Sequence, residues 1–439
     1  TDVKRMGEIK VMLGLLNRDK LFVGYDIGNE YAQISCTFPE SEDVRTLSFV
    51  AGEQSYSIPA VLCKKKGSNQ WFYGKEALRC AQDQEGILVQ NLLDMAIEKE
   101  TVQIEGNSYE PAALLALFLK RSMGILSQIA SIEKISALTF TCERLEQKTL
   151  EALEQAVAGL GLKTQQVFFE SHMESYYNYM LYQPEELWKD GCALFDYRGN
   201  RILSYRMERN TKTTPIAVFT GEKEYPFASY EPMPEDQELR ERRMERLDQE
   251  FLKIAEDTPG LGRMNSFFLI GENFSEGWMK DSLRFLCRGR RVFQGNNLYS
   301  KGACFGILER MNSGKAERTH VFLGKDKLRV NIGMKLLRRG QESYLALLDA
   351  GNNWFEAERT IEFYIQDGNS VEILIMSLEG KGNKLAQIIL EDLPEGLSRL
   401  KARFYMTLEN RLAVEIEDLG LGEFRAATHQ IWKEEVNIY

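Results

Sequence analysis

"LFVGYDIGNEYAQIS", residues 21–35, is an apolar strand that runs into Asp26, turns through Gly28 and Asn29, and resumes as a strand. A strand ending on a carboxylate at a tight turn is either a hairpin with a turn-favouring polar residue or one half of a phosphate clamp. A second half exists. "GCALFDYRGNRILSYRM", 191–207, repeats the order: apolar strand, Asp196, a turn holding Gly199 and Asn200, then another strand. The separation is too long for a solenoid repeat and suits a duplicated α/β domain. Two such turns facing each other offer N–H groups to phosphate oxygens, and the two carboxylates can hold Mg²⁺ largely through water.

The chain has 439 residues, which predicts two or three domains rather than one core. A hydrophobic fraction of 44% and a charged fraction of 27% are those of a globular protein. A formal net charge of −10 leaves no excess of Lys and Arg to neutralise phosphates, so no nucleic-acid partner is expected. Seven dispersed cysteines without a CxxC pair read as reduced thiols, and three histidines are too few for a His-rich metal site. "AALLALFL", 112–119, is far shorter than the ~20 apolar residues a bilayer span needs. The expectation is a cytoplasmic chain with no membrane partner.

Residues 21–311 alternate strand-like segments with helical runs such as "RLEQKTLEALEQAVAGLG", the signature of α/β layers. From about 320 the texture changes to period-two alternation. Ile361, Phe363 and Ile365, then Val371, Ile373 and Ile375, then Leu400, Ala402, Phe404 and Met406, then Leu412, Val414 and Ile416 each fall on one strand face. This predicts an all-β sandwich over 321–428, joined by a linker over 312–320 and followed by a tail over 429–439. A helical extension is expected over 1–20.

Between the two clamp halves, "ISALTFTCERLEQKTLEALEQAVAGLGLKTQQVFFESHMESYYNYML", 135–181, resembles the connecting segment of DnaK-type heat-shock chaperones, members of the actin-like and sugar-kinase-like ATPase superfamily. "IPAVLCKKKGSNQWFYGKEALRCAQ" (58–82) resembles that family's segment after the first hairpins. "FFLIGENFSEGWMKDSLRFL" (267–286) and "NNLYSKGACFGI" (296–307) resemble its adenosine motif and closing helix. "FYMTLENRLAVEI" (404–416) aligns without a gap to the last hairpin of its peptide-binding β-sandwich. The resemblance spans about 21–425 in family order. It is nearest to uncharacterised DnaK-like proteins of Gram-positive bacteria, whose role it does not supply. It implies an actin-like ATPase fold, duplicated and with reduced outer subdomains, followed by a peptide-binding-type sandwich.

Carried over residue by residue, the resemblance implies a site with Asp26, Gly28 and Asn29 in the first turn and Gly199 and Asn200 in the second. Gly271 and Glu272 fall in the adenosine motif, and Gly302 in the closing helix. Asp26, Glu170 and Asp196 stand where the family places carboxylates around Mg²⁺, with Glu170 and Asp196 the catalytic pair. ATP or ADP with Mg²⁺ would be the cofactors.

The departures matter as much. Two family threonines are replaced by Asn29 and Glu30. A carboxylate ~4 Å from a phosphate costs roughly 4 kcal/mol per unit charge at an effective dielectric of ~20. The glycine-rich second turn is replaced by Arg198, Gly199, Asn200 and Arg201, and the catalytic lysine expected within 85–96 is absent. Either arginine is a candidate replacement for its charge. The 51 residues from Pro215 to Asn265 are too few for the family's nucleotide-covering subdomain. With the sequence ending at Tyr439, the family's helical lid is expected to be absent. The expected function is therefore a divergent DnaK-like protein with a degenerate nucleotide site. It would bind protein or peptide clients through the β domain, as chaperone-like factor or scaffold. The alternatives are an active Mg-ATPase using unusual phosphate ligands, and an actin-like or sugar-kinase-like protein.

Overall fold

Leu21–Ile27 is buried along its whole length, as a central strand covered on both faces must be. In the computed structural model, which describes residues 20–439 apart from 42, 51–52, 230, 272, 275–276, 313–318, 367 and 379–381, it lies inside a mixed sheet. The expected extension over 1–20, except Lys20, and most of the 312–320 linker lie outside the described residues, as do the side chains at 312 and 338.

The chain divides into two compact units: Thr1–Glu208 with Gly221–Glu317, and Arg209–Thr220 with Arg318–Tyr439. In the first unit one sheet runs Val167–Ser171, Ile135–Cys142, Leu21–Ile27, Tyr31–Thr37, Arg45–Thr46. Leu21–Ile27 pairs parallel with Ile135–Cys142 and antiparallel with Tyr31–Thr37. The other sheet runs Arg291–Gly295, Ser266–Ile270, Cys192–Arg198, Arg201–Asn210, and on to Ile216–Pro226. Cys192–Arg198 pairs parallel with Ser266–Ile270 and antiparallel with Arg201–Asn210. The two sheets thus share one strand order and one pattern of directions. Each has an aspartate near the end of the strand that begins its hairpin. The parallel neighbours arrive by helical crossovers, as parallel pairing requires.

The helix Leu298–Asn312 seals the first sheet. It passes so close to the central strand that a Cβ on Gly24 would lie 2.1 Å from the Ser300 carbonyl oxygen. A Cβ on Gly302 would lie 1.9 Å from the Ser175 carbonyl oxygen, so this helix also meets the helix His172–Leu181 backbone to backbone. The acidic stretch after residue 230 forms one helix, Gln237–Glu256, capped by Asp236, whose Oδ1 accepts the Leu239 N–H at 2.9 Å. Its buried face, Leu247, Phe251, Ile254 and Ala255, packs into the core of the second sheet.

The second unit holds two four-stranded sheets. One runs Gln341–Leu348, Val330–Arg338, Ser370–Ser377, Asn383–Ile389. The other runs Glu358–Ile365, Ser398–Leu408, Arg411–Asp418, Ile431–Asn437. Phe363, Val371, Ile373, Ile375, Leu400, Ala402, Phe404, Met406, Leu412, Val414 and Ile416 form one core, with Ile361 and Ile365 against it. Two boundaries differ from expectation. Residues 429–439 are no tail: Ile431–Asn437 pairs antiparallel with Arg411–Asp418 and buries Trp432, with Ile438 just beyond. Its alternation is easily missed, because only Trp432, Val436 and Ile438 among its inward positions are apolar. Arg209–Thr220 joins the second unit because Ile216–Phe219 pairs parallel with His320–Leu323.

Candidate functional site

The two aspartates end up deep inside the first unit, Asp26 at 1% exposure and Asp196 at 0%. The turns that follow them adjoin. The first is closed by the Gly28 N–H donating to the Tyr31 carbonyl at 3.1 Å. The second is made possible by Gly199 at φ +52°, and Asn200 gives its carbonyl to the Phe227 N–H at 2.8 Å. Glu30 Oε1 is 3.2 Å from where a Cβ on Gly199 would sit, and an Arg198 Nη1 is 3.6 Å from the same point on Gly28. Asn29 is engaged elsewhere, its Oδ1 accepting the Asp94 N–H at 3.1 Å.

Side chains, not an open groove, connect the two aspartates. His172 Nε2 lies 2.6 Å from Asp26 Oδ1, and both groups are buried. The His172 ring stacks on Tyr299, centroids 3.9 Å apart and planes 6° from parallel. The Tyr299 hydroxyl donates to Asp196 Oδ2 at 2.9 Å. Arg198 Nε donates to the same oxygen at 2.8 Å, and its guanidinium lies over the rings of Tyr31 and Tyr299 at 5.1 and 5.5 Å. A continuous polar chain therefore runs Asp26, His172, Tyr299, Asp196, Arg198.

Its electrostatics follow from burial. Loss of water pushes the Asp196 carboxyl up, and Arg198 with its other neighbours recovers only part of that. Burial works against the charge on Arg198, yet Asp196, Tyr31 and Asp26 more than offset it and hold the guanidinium cationic. Burial, then Asp196, drives the Tyr299 phenol far up, so it stays a neutral donor. Four atoms of the chain, Asp26 Oδ2, His172 Nδ1, Asp196 Oδ1 and Arg198 Nη2, are buried without a hydrogen-bond partner among the described residues.

Glu170 is not part of this chain. It takes the Ser175 hydroxyl at 2.6 Å, Asn178 Nδ2 at 3.1 Å and Arg310 Nη2 at 2.8 Å, in the seam between the helices His172–Leu181 and Leu298–Asn312. Burial pushes its carboxyl up while Arg310 pulls it down. Arg201 is likewise committed, to Glu143 and Glu224 at 2.8 Å each.

On the side expected to hold adenosine, Gly271 adopts φ +110° and a Cβ there would meet the Tyr197 carbonyl at 2.5 Å. Glu272 lies outside the described residues. Past it, Phe274 and Trp278 are buried with Tyr197, Phe227 and Phe251 in an aromatic cluster, and Trp278 Nε1 donates to the Asn273 carbonyl at 2.8 Å. Gly302 serves the helix contact described above.

These donors do not fit a Mg²⁺-nucleotide. Among the expected carboxylates, Asp26 and Asp196 meet through His172 and Tyr299, whereas Glu170 faces a helix seam. Among the described residues no group of three or more His, Cys, Asp or Glu side chains is placed to hold a metal ion. Nor is any described helix long and apolar enough to cross a membrane. The residues placed in the site from the sequence did not include His172, Tyr31 or Tyr299. The available signal was His172 itself, an imidazole two residues past Glu170.

No curated protein matches the chain. Residues 327–438, nearly all of the two-sheet region, match a domain described only as a domain of unknown function (DUF8552). Residues 43–325, which contain Asp196 and every partner of the polar chain except Asp26 and Tyr31, match the C-terminal part of a family described as of unknown function (DUF5716), and the chain belongs to that family.

Proposed function

We propose that this chain is a divergent DnaK-like protein on an actin-like ATPase fold, whose phosphate clamp has become a permanent internal lock. In this reading it works as a protein- or peptide-binding scaffold of chaperone type, in the cytoplasm, with its second unit as the binding sandwich. The carrying observation is the Asp26–His172–Tyr299–Asp196–Arg198 chain, which uses the clamp carboxylates to bind the protein to itself. The repeated strand order supports the actin-like reading, and the core shared by two antiparallel sheets supports the sandwich. Six buried cysteines and one exposed one suit a reducing compartment.

Thermal unfolding with and without millimolar Mg-ATP and Mg-ADP tests the lock. A native-state ligand at a hundred times its dissociation constant adds about 2.7 kcal/mol, a shift of several degrees. The expected result is no shift, together with ATP-independent suppression of aggregation of a heat-denatured model enzyme at stoichiometric chain. A shift abolished by Asp26→Ala overturns the lock, and failure to hold any unfolded client overturns the chaperone-type role.

A second reading, an active Mg-ATPase with unusual ligands, has one observation in its favour. The unpartnered Asp26 Oδ2, Asp196 Oδ1 and Arg198 Nη2 are groups a phosphate–metal complex would use once His172 and Tyr299 moved aside. The same unfolding measurement decides between the two.

A further inference from the structure

The outer faces of the two sheets in the second unit are built on different chemistry. Outside the sheet containing Ser398–Leu408, charges alternate in sign and pair across strands: Arg403 with Glu358, Arg399 with Glu362, Lys433 with Glu415, Arg411 with Glu435. That is a face made for water. Outside the sheet containing Val330–Arg338, the register brings Ala346, Gly333, Leu374 and Leu385 into one row across all four strands. The Tyr344 ring lies where a Cβ on Gly333 would be, within 2.3 Å. Leu385 is 59% exposed, Leu337 75% and Tyr344 44%.

We propose that this face is the interface of a symmetric dimer, its occupant being the same face of a second copy of the chain. Two observations select a second copy. The first is charge. Lys335 and Glu372 stand on this face with opposite signs, and neither has an ion-pair partner among the described residues. Gly333 pairs with Leu374 in antiparallel register, and Lys335 and Glu372 each stand two residues beyond that pair on the two central strands. A two-fold axis along the strands, between the two central ones, sets each copy's Lys335 against the other's Glu372. The same axis lays Leu374 and Leu385 of one copy on Gly333, Tyr344 and Ala346 of the other, so one patch complements itself, as an isologous interface must. The second is area. Strands of seven to nine residues span about 26 Å, and four strands about 19 Å, giving about 500 Å² per copy. The total, about 1,000 Å², reaches the lower bound for a specific interface. Two twisted sheets packed face to face at about 10 Å form the corresponding structure. This dimer is independent of the proposed chaperone-type role.

Sedimentation equilibrium of the full chain from 1 to 100 μM tests it. The expected result is a reversible monomer–dimer equilibrium in the micromolar range. Leu385→Lys weakens it at least tenfold with an unchanged melting temperature, since Leu385 is largely exposed. Lys335→Glu also weakens it, and the swap Lys335→Glu/Glu372→Lys restores it. A monomer throughout overturns the proposal and leaves the face to a different protein. A dimer indifferent to Leu385→Lys, or a swap that fails to restore association, overturns it too.

Discussion

Asp196 and Asp418 both stand in or at the end of a strand, both are followed by a glycine turn and both are fully buried, yet they are served in opposite ways. Asp418 Oδ1 accepts the Gly420 N–H and an Arg425 Nη2, and its Oδ2 accepts the N–H and hydroxyl of Thr428, all between 2.8 and 3.1 Å. Burial pushes this carboxyl up, but the Thr428 and Gly420 donors and Arg425 outweigh it and hold it below the usual carboxylate range. Asp196 places both donors, Arg198 and Tyr299, on one oxygen and leaves the other bare, and burial wins. Asp418 is satisfied on both oxygens by the loop that follows it, whereas Asp196 relies on Arg198, two residues on, and on Tyr299, 103 positions away, both on one oxygen. Donors on both oxygens mark a structural carboxylate. Asp248 obeys the same rule, capping the helix Asp281–Leu286 through the N–H groups of Lys280, Asp281 and Ser282. Incomplete satisfaction at the end of a central strand is what the proposed inward-turned ligand site predicts.

The largest expected effect falls on the satisfied member. Asp418→Ala strips four hydrogen bonds at once and leaves Arg425 and two N–H groups facing a hole. Breaking a buried pair this way costs about 3–5 kcal/mol. Urea unfolding of the full chain, followed through Trp432 on the neighbouring strand, reads the loss. A loss below about 1 kcal/mol would mean that the 419–428 loop holds itself together without the carboxylate.

Arg198→Met is expected to cost less, about 2 kcal/mol near neutral pH. Asp196 can take up a proton when its cation is removed, and protonation is already favoured by burial. The difference in cost, a satisfied carboxylate above a half-satisfied one, is the quantity to measure. If Arg198→Met proves the more damaging change, Arg198 carries packing against Tyr31 and Tyr299 as well as charge.

Much of this arrangement was legible in the residues, and the illegible part has a physical reason. The hairpins around Asp26 and Asp196 could be read because an apolar run ending in D-x-G or D-x-x-G depends only on neighbours in sequence. The β core was legible because period-two alternation states which residues share a face: Leu400, Ala402, Phe404 and Met406 all reach it. Nothing local announces that His172 meets Asp26 across 146 positions, or that Tyr299 reaches Asp196 across 103. Those contacts depend on how the helix Leu298–Asn312 crosses Gly24, a backbone approach that a one-dimensional reading does not contain. Glu170 shows the same limit. Its place in the chain matches a metal-site glutamate, but Arg310 captures it from a distant helix.

The smallest effect is also the most specific, because it opposes the two aspartates in sign. Asp196 in the folded chain holds its proton more tightly than in the unfolded chain, so its ionisation opposes folding. Stability is lost as pH rises from the unfolded carboxylate value, about 3.9, through the raised folded value. Asp418 does the reverse: its contribution is present above the unfolded value and disappears as pH falls through the lowered folded one. Each slope is bounded at about 1.4 kcal/mol per pH unit for one proton. In thermal unfolding between pH 3 and pH 7, Asp196→Asn should therefore gain on the wild type as pH rises, and Asp418→Asn should lose ground. Parallel difference curves for the two variants would show that Asp196 is ionised and fully compensated among its partners. The distinction between a structural carboxylate and a site turned inward would then fail at the residue on which it rests.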